Sequence, residues 1–137
     1  MFTFHHTALS VNSIDDSIKF YSLFGFVEAL RWTADDKSLV ISHLKLEDSF
    51  LELFCYADPR NSEVNSLNLE HGLQVIGIKH FALRVRSIVD ALNTLREKGI
   101  VPATEIKQGR TGITYFFVRD PDGVFLEVVQ DDRSFDR

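Results

Sequence analysis

Two histidines and two glutamates stand at matching places in the two halves of the chain. His6 and His80 lie 74 positions apart, and Glu52 and Glu127 lie 75 positions apart. Borderline divalent metals take imidazole nitrogen together with carboxylate oxygen. Four protein ligands leave further positions of an octahedral ion open to water or substrate, which is typical of a catalytic site. The sequence therefore predicts a metal site at His6, Glu52, His80 and Glu127.

Both glutamates stand in strongly apolar surroundings. Glu52 lies within the run Phe50–Phe54, and Glu127 lies within Phe125–Val129. An unpaired carboxylate in such a strand would cost of the order of several kcal/mol, and a metal ion would be a sufficient partner. A single histidine or glutamate on a strand is more often hydrogen-bonded or solvent-facing than a ligand. The recurrence of both residue types at equivalent places is what favours metal binding.

The other histidines and the cysteine are interpreted without a chemical role. His43 and His71 have no counterpart in the other half, and His5 lies at the start of its strand. We therefore interpret all three as structural or solvated. Cys55 is the only cysteine and lies in an apolar run without a neighbouring cation, so it is interpreted as a core residue. A lone cysteine suits a reducing compartment.

The two halves of the chain repeat each other. His6–Val11 resembles His80–Val85, and further matches follow at the same offset. These matches are Ser13 with Ser87, Asp16 with Asp90, and Gly25 with Gly99. In each half the Ser-x-x-Asp pattern predicts a helix start, in which the serine oxygen accepts an orphan backbone N–H. Apolar spacings of three and four follow, and the glycine stands where a left-handed residue ends a helix.

Strands are predicted on both sides of each helix. One alternating strand precedes the helix, with its histidine pointing away from the helix. Three strand candidates follow in each half, at 26–33, 38–46 and 50–56, and at 101–106, 113–119 and 124–130. Each half is therefore a βαβββ module, and the predicted fold class is α+β. We expect a single domain over 1–137, with module one at 1–57, a polar linker at 58–75 and module two at 76–137.

Composition limits the partners of the chain. With 45% hydrophobic residues and 12 Phe, its 137 residues are enough to bury a core. Fifteen basic residues against twenty acidic ones give a net charge of −5, and no basic cluster stands out, so nucleic acid is not an expected partner. No apolar stretch approaches the roughly 18 residues that span a bilayer, and no export signal is apparent. We expect a cytoplasmic protein that binds a small molecule and no membrane.

These motifs resemble a known superfamily. The motifs of the chain are similar to those of the vicinal oxygen chelate superfamily. They are His6–Val11, His80–Val85, Phe20-Tyr21, Gly25-Phe26 and the run Asp120–Glu127, which opens with a predicted tight turn. This group is also called the glyoxalase/bleomycin resistance/dioxygenase superfamily. The resemblance implies two modules whose strands form a cupped, incomplete mixed barrel around a metal ion. It also implies that two chains associate as a homodimer.

Within this superfamily, the set His6, Glu52, His80 and Glu127 is similar to that of glyoxalase I. The resemblance implies a divalent ion, nickel or zinc, with iron or manganese as alternatives. It implies a lyase or isomerase reaction on a small vicinal-oxygen substrate such as the hemithioacetal of methylglyoxal and a thiol. In that reaction the metal binds both oxygens while a carboxylate moves a proton between the two carbons. Glu52 and Glu127 are both candidates for the catalytic base, and the resemblance favours Glu127.

A ring-cleaving extradiol dioxygenase is one alternative. His6, His80 and Glu127 could form its two-histidine, one-carboxylate iron site. The pattern of that branch expects a tyrosine where this chain has Phe117 and a histidine in the region that holds 109–111. It also uses no fourth protein ligand, so the match is incomplete.

Two further alternatives come from the same superfamily. The epimerase branch commonly carries a glutamine at the Glu52 position. A metal-free binding protein of the bleomycin-resistance type would use an aromatic groove, which could be lined by Phe50, Phe54, Phe117 and Phe125. Phe54 and Phe117 are the predicted aromatic contacts of the substrate. Arg110 is predicted to bind a carboxylate or phosphate of the substrate, because a guanidinium offers two parallel donors.

Overall fold

The computed structural model describes residues 1–63 and 67–135. It contains two compact units, Met1–Ser62 and Glu63–Arg137. The elements of the first unit are β1 (His6–Ser10), α1 (Ile14–Ser22), β2 (Val27–Thr33), β3 (Leu39–Leu46) and β4 (Ser49–Tyr56). Those of the second unit are α2 (Leu69–Gln74), β5 (Phe81–Arg84), α3 (Ile88–Glu97), β6 (Lys107–Gln108), β7 (Thr114–Arg119) and β8 (Phe125–Gln130). None of the described helices is long and apolar enough to cross a membrane.

Each unit contains one open, mixed, four-stranded sheet. The strand order is β1-β4-β3-β2 in the first unit and β5-β8-β7-β6 in the second. In both sheets the first strand pairs in parallel with the last, and the other pairings are antiparallel. A parallel pairing needs a long crossover, which the helix and the intervening strands provide. The shared order confirms the predicted α+β fold of tandem βαβββ modules.

One face of each sheet packs on the helix and forms the core of its unit. Leu51 and Leu53 in β4, and Leu126 and Val128 in β8, are almost fully buried. Because side chains alternate along a strand, the glutamate between each of these pairs points to the opposite face. The register of the core therefore decides where the candidate ligands lie.

Both main helices begin as the repeat predicts. The Ser13 Oγ accepts the backbone N–H of Asp16 at 3.2 Å, and the Ser87 Oγ accepts that of Asp90 at 3.2 Å. Each bond satisfies one of the N–H groups that the first turn leaves without a partner. The two predicted N-caps are confirmed.

Both helices also end in the same way. Gly25 has a φ of 99° and Gly99 a φ of 84°, the left-handed region that a glycine enters without a Cβ clash. The residue after each glycine donates its N–H to the carbonyl five residues earlier, from Phe26 to Tyr21 at 3.3 Å and from Ile100 to Leu95 at 2.9 Å. This is the Schellman arrangement, and it turns the chain sharply away from the helix.

The strand predicted at 101–106 is wrong. The corresponding strand, β6, is two residues long and begins after that segment. Ala103 donates its N–H to the carbonyl of Phe117 at 2.7 Å, but the N–H of Phe117 donates to the side-chain Oγ1 of Thr104 at 3.0 Å. A hydroxyl takes the place of a backbone carbonyl here, and Pro102 has no N–H to donate. The segment runs beside β7 without forming a regular ladder.

The predicted linker at 58–75 contains a short helix that sequence reasoning did not predict. This helix is α2, whose start is capped by the Asn68 side chain accepting the N–H of His71 at 2.9 Å. Positions 64–66 of the predicted linker lie outside the described residues. The predicted boundaries of the two modules and the linker remain a prediction.

The predicted tight turn before β8 is confirmed. Gly123 donates its N–H to the carbonyl of Asp120 at 3.0 Å. The Asp120 Oδ1 accepts the N–H of Asp122 at 2.9 Å and that of Val124 at 2.8 Å. This carboxylate holds the turn closed directly before β8, and so fixes the start of the strand that carries Glu127.

Candidate metal centre

The first unit gathers two histidines around Glu52. Ala8 of β1 lies opposite Glu52 in the parallel pairing, and His6 precedes Ala8 by two residues on the same face. His43 of β3 lies directly opposite Glu52 in the antiparallel pairing. Three neighbouring strands thus place His6, His43 and Glu52 on the face turned away from the helix, which we call the site face of the first unit.

The two histidines contact different oxygens of the same carboxylate. The Nε2 of His43 lies 2.6 Å from Oε2 of Glu52, and the Nε2 of His6 lies 3.6 Å from Oε1. An ionised carboxylate only accepts hydrogen bonds, so the shorter contact requires a proton on Nε2 of His43. The longer contact is beyond hydrogen-bond distance and leaves Oε1 with capacity for another partner.

His5 stands at the edge of this cluster. Its ring stacks on Phe50, with centroids 5.2 Å apart and planes 28° from parallel. Its Nδ1 lies 2.9 Å from Nδ1 of His6, so one of the two nitrogens donates to the other. The prediction of a structural role for His5 agrees with the stacking, and the contact also orients the His6 ring.

The interpretation of His43 as structural or solvated did not foresee its contact with Glu52. That interpretation rested on the lack of a counterpart in the second half of the chain. The missed signal is the hairpin: Leu46 pairs with Ser49 across a two-residue turn, and this register necessarily sets His43 opposite Glu52. Counting outward from the turn would have found the pair.

The second unit places His80 and Glu127 in an equivalent relation. Ala82 of β5 lies opposite Glu127 in the parallel pairing, and His80 precedes Ala82 by two residues. The Nε2 of His80 lies 2.9 Å from Oε2 of Glu127. Here Phe117 of β7, not a histidine, lies directly opposite the glutamate. These residues define the site face of the second unit.

Phe117 packs tightly against this pair. It is 3% exposed, and its ring meets the His80 ring edge to face with centroids 4.9 Å apart. The Phe125 ring lies 5.7 Å from the Phe117 ring in a similar arrangement. The Nδ1 of His80 is buried and has no hydrogen-bond partner among the described residues. The pair in the second unit is therefore drier than the cluster in the first.

The donor chemistry of both pairs fits a divalent ion. Each pair directs an imidazole nitrogen and a carboxylate oxygen at each other on its site face, and these are the donor types that borderline metals accept. Across 1–63 and 67–135, no group of three or more His, Cys, Asp or Glu side chains is arranged to hold a metal ion. The structure thus shows two matching pairs, and their joint use as one ligand set stays a prediction.

The three predicted substrate contacts lie in different settings. Phe54 is half-buried on the site face of the first unit, two residues beyond Glu52 in β4. Phe117 lies against His80, as described above. Arg110 lies in the exposed turn between β6 and β7.

Apolar side chains that sequence reasoning missed lie beside His43. A bulge in β2 between Glu28 and Leu30 shifts the register of its pairing with β3. As a result Leu30 pairs with His43 and Trp32 with Ile41, so both side chains lie on the site face. They are 50% and 52% exposed. The first unit therefore offers an accessible apolar strip next to its polar cluster.

A small cleft adjoins His80 in the second unit. The short helix α2 forms one wall through Leu69 and Leu73, and Phe125 lies on the other side. The Lys79 Nζ donates to the carbonyl of Gly72 at 3.0 Å and so ties the end of α2 to the residue before His80. This part of the predicted linker therefore borders a cleft next to His80.

A charged network lies behind the cluster, on the helix side of the first sheet. The buried Ser42 hydroxyl donates to Glu28 Oε2 at 2.6 Å, and Arg31 Nε donates to the same oxygen at 3.0 Å. The Ser42 hydroxyl, with help from Arg31, holds the pKa of Glu28 below its ordinary value. Residues of this network point away from the site face and act on stability.

Comparison with known proteins identifies the family. The sequence profile of the Glyoxalase/Bleomycin resistance protein/Dioxygenase superfamily matches residues 3–128 of this chain. The chain belongs to this superfamily. The match spans both His–Glu pairs, so the predicted resemblance is confirmed.

Similar proteins match nearly the whole of this glyoxalase superfamily chain. It is 27% identical to the uncharacterized protein YwkD of Bacillus subtilis, over 92% of this chain and 94% of that protein. The crystal structure of SMU.1112c matches with a TM-score of 0.79 and 26% identity, over 94% of this chain and 98% of that one. The trypanothione-dependent glyoxalase I of Leishmania major matches with a TM-score of 0.68 and 21% identity, over 95% of this chain and 87% of that one. At that identity the last similarity shows the fold alone.

Proposed function

We propose that this glyoxalase superfamily protein is a divalent-metal-dependent isomerase of the glyoxalase I type. Its substrate class is a small molecule with vicinal oxygens, such as the hemithioacetal of methylglyoxal and a thiol. The observation that carries the proposal is the equal placement of His6 with Glu52 and of His80 with Glu127 on parallel first and last strands. A chain that needed only a binding groove would have no reason to repeat this pairing.

The four residues are proposed to hold one ion, nickel or zinc before iron or manganese. When bound there, the ion would supply Lewis-acid polarisation of the two substrate oxygens. The Glu127 side chain is 10% exposed, and charge interactions at such a buried group are stronger than in water. Glu127 takes the proton from the first carbon of the substrate and returns it to the second, so no redox partner is consumed. Glu52 is the other candidate for this proton transfer.

The remaining site-face residues provide apolar contacts. Phe54 lies beside Glu52, and Phe117 closes the surroundings of His80 and Glu127. Exclusion of water from Glu127 favours proton transfer to carbon over exchange with solvent. Arg110 is proposed to bind an anionic group on the substrate from its exposed turn.

We further propose that the active protein is a cytoplasmic homodimer. Members of this superfamily often pair, and the edge strand β2 of the first sheet is exposed along its whole length. The free Cys55 thiol suits a reducing compartment. Light scattering at micromolar concentration checks the assembly, and a monomer there would contradict it.

A turnover assay tests the proposed activity. The chain is stripped of metal with a chelator and assayed for thioester formation from methylglyoxal with glutathione and with other small thiols. We expect no turnover without metal and turnover after nickel or zinc is restored. Specific metal binding with no turnover of any of these hemithioacetals would contradict the isomerase assignment.

A metal-free binding protein is the second candidate function. The accessible strip of Leu30 and Trp32 beside His43 favours it, because an apolar drug could bind there without any ion. Fluorescence of Trp32, the only tryptophan, would respond to such a ligand. Ligand binding that is unchanged by chelator, together with no metal binding, would favour this function over the isomerase.

A further inference from the structure

We propose that His43 is a positioning residue that fixes the Glu52 carboxylate for its work as a metal ligand. This inference rests on the proposed function, because it assigns a task at the site proposed there. Its basis is the contact of 2.6 Å between His43 Nε2 and Glu52 Oε2. The Nε2–H of His43 donates to that oxygen, so one of the two carboxylate oxygens is held from the protein side.

The other oxygen of Glu52 is the one that faces the partner ligand. Oε1 points toward Nε2 of His6, at 3.6 Å, and has no closer partner from that ring. A carboxylate anchored through Oε2 presents Oε1 in one orientation instead of many. Metal-ligating carboxylates are commonly hydrogen-bonded in this way, and the loss of such an outer partner weakens metal binding.

The sheet and its aromatic neighbours hold the His43 ring in place. His43 and Glu52 pair directly in the β3–β4 hairpin, so the backbone sets their spacing. The His43 ring is tilted against Phe50 with centroids 6.0 Å apart, and the Phe50 ring also stacks on that of His5. The side chain of His43 is 26% exposed, which leaves it little freedom to turn away.

The second unit has no histidine opposite its glutamate and so serves as a comparison for the His43–Glu52 contact. The residue opposite Glu127 is Phe117, whose side chain offers no hydrogen-bond donor. Glu127 is therefore not anchored from the neighbouring antiparallel strand, whereas Glu52 is. The cross-strand anchor is therefore specific to Glu52, whereas Glu127 contacts the His80 ring of the parallel strand, at 2.9 Å.

Variants of His43 test the inference. His43→Phe copies the residue of the second unit, and His43→Gln keeps a side-chain N–H donor. His71→Phe is the matched control, since it removes a histidine from the exposed helix α2. The readouts are nickel affinity by titration, the visible absorption of the cobalt-loaded protein, and the histidine tautomers by ¹⁵N NMR of the metal-free protein.

We expect His43→Phe to weaken nickel binding by roughly tenfold to a hundredfold and to change the cobalt spectrum. His43→Gln should recover much of the loss, and His71→Phe should match the wild type. In the metal-free wild type, the proton of His43 should reside on Nε2, with a downfield resonance that moves in Glu52→Ala. Should His43→Phe not fold, as judged by circular dichroism, His43→Ala gives the same comparison.

Two results overturn the inference and leave the proposed function standing. One is a wild type that binds nickel while His43→Phe binds it equally well with an unchanged cobalt spectrum. The other is a proton on Nδ1 of His43 in the metal-free protein. A wild type that binds no metal at all overturns the proposed function and this inference with it.

Discussion

The two units share one architecture and differ at the middle of the sheet. β3 of the first unit places His43 opposite its glutamate, and β7 of the second places Phe117 there. The Glu52 side chain is 19% exposed and the Glu127 side chain 10%. The His6–Glu52 pair therefore lies on a more exposed face and has a hydrogen-bond donor, His43, opposite its glutamate. The His80–Glu127 pair is more buried and has an aromatic ring, Phe117, in that place.

A second difference lies on the opposite face of the same two strands. Ser42 precedes His43 in the first unit, and Phe116 precedes Phe117 in the second; both Ser42 and Phe116 are fully buried. The buried Ser42 hydroxyl donates a hydrogen bond to Glu28, whereas the buried Phe116 ring adds apolar area to the core. In the first unit, β3 therefore makes polar contacts on both of its faces, through Ser42 on one and His43 on the other, and contributes less apolar area to the core.

Replacing the two glutamates should give the largest and most unequal effects. Glu127→Gln removes the proposed base and should lower kcat by about a hundredfold or more. Glu52→Gln should lower metal affinity, with a smaller loss of kcat at saturating metal. Steady-state kinetics on metal-loaded protein check this, with circular dichroism as the control for folding. Full activity in Glu127→Gln would contradict the role of that residue.

Truncating the two predicted aromatic contacts should separate the dry face from the accessible one. Phe117→Ala should lower the free energy of unfolding by about 3 to 4 kcal/mol, because the ring is buried among three other rings. Phe54→Ala should cost about 1 to 2 kcal/mol, since Phe54 is half-exposed. Urea denaturation measures both values. Equal losses would show that the two site faces are equally buried.

The Ser42 hydroxyl gives a prediction with a pH dependence. Ser42→Ala removes the hydrogen bond that contributes most to lowering the pKa of Glu28 and should cost about 1 to 2 kcal/mol at neutral pH. A carboxyl whose pKa is lower in the folded state stabilises the fold above its unfolded pKa and loses that contribution as the pH falls through the folded pKa.

The difference in free energy of unfolding between Ser42→Ala and the wild type should therefore be smaller in acid. Urea denaturation at about pH 7 and about pH 3 measures it. A difference that is the same at both pH values would show that the loss comes from packing alone and not from the charge on Glu28.

The smallest effect should be the same in both units. Ser13→Ala and Ser87→Ala each remove one N-cap hydrogen bond, and the two bonds are equally long. Each substitution should therefore lower the free energy of unfolding by about 1 kcal/mol. Thermal or urea unfolding of the two variants side by side checks the equality. If the two variants lost free energy of unfolding by amounts that differ by more than about 1 kcal/mol, the two helix starts would not be equivalent.

The repeat made most of the fold predictable, and its exceptions were what sequence reasoning missed. Helix caps recur at an offset of 74 and the last strands at an offset of 75, and a recurring local signal is robust. His43 was missed because its importance comes from pairing with Glu52 across a hairpin, which has no equivalent in the repeat. The strand at 101–106 failed because the Thr104 hydroxyl replaces a backbone partner, a tertiary contact that local propensity does not encode.

The site was predictable as a set of donors but not as an arrangement. Residue types and spacing identified His6, Glu52, His80 and Glu127 as candidate ligands. The strip of Leu30 and Trp32 depends on a bulge, which shifts a face by one residue. Such a shift leaves little trace in the hydrophobic pattern of an exposed strand.

Calorimetric titration of the chelator-stripped chain with nickel and with zinc tests the central claim most directly. His6→Ala and His80→Ala, one variant from each unit, are titrated beside the wild type. We expect a single ion per chain in the wild type and the loss of tight binding in both variants. Binding that survives either variant, or no specific binding in the wild type, would contradict a metal site built from both repeated pairs.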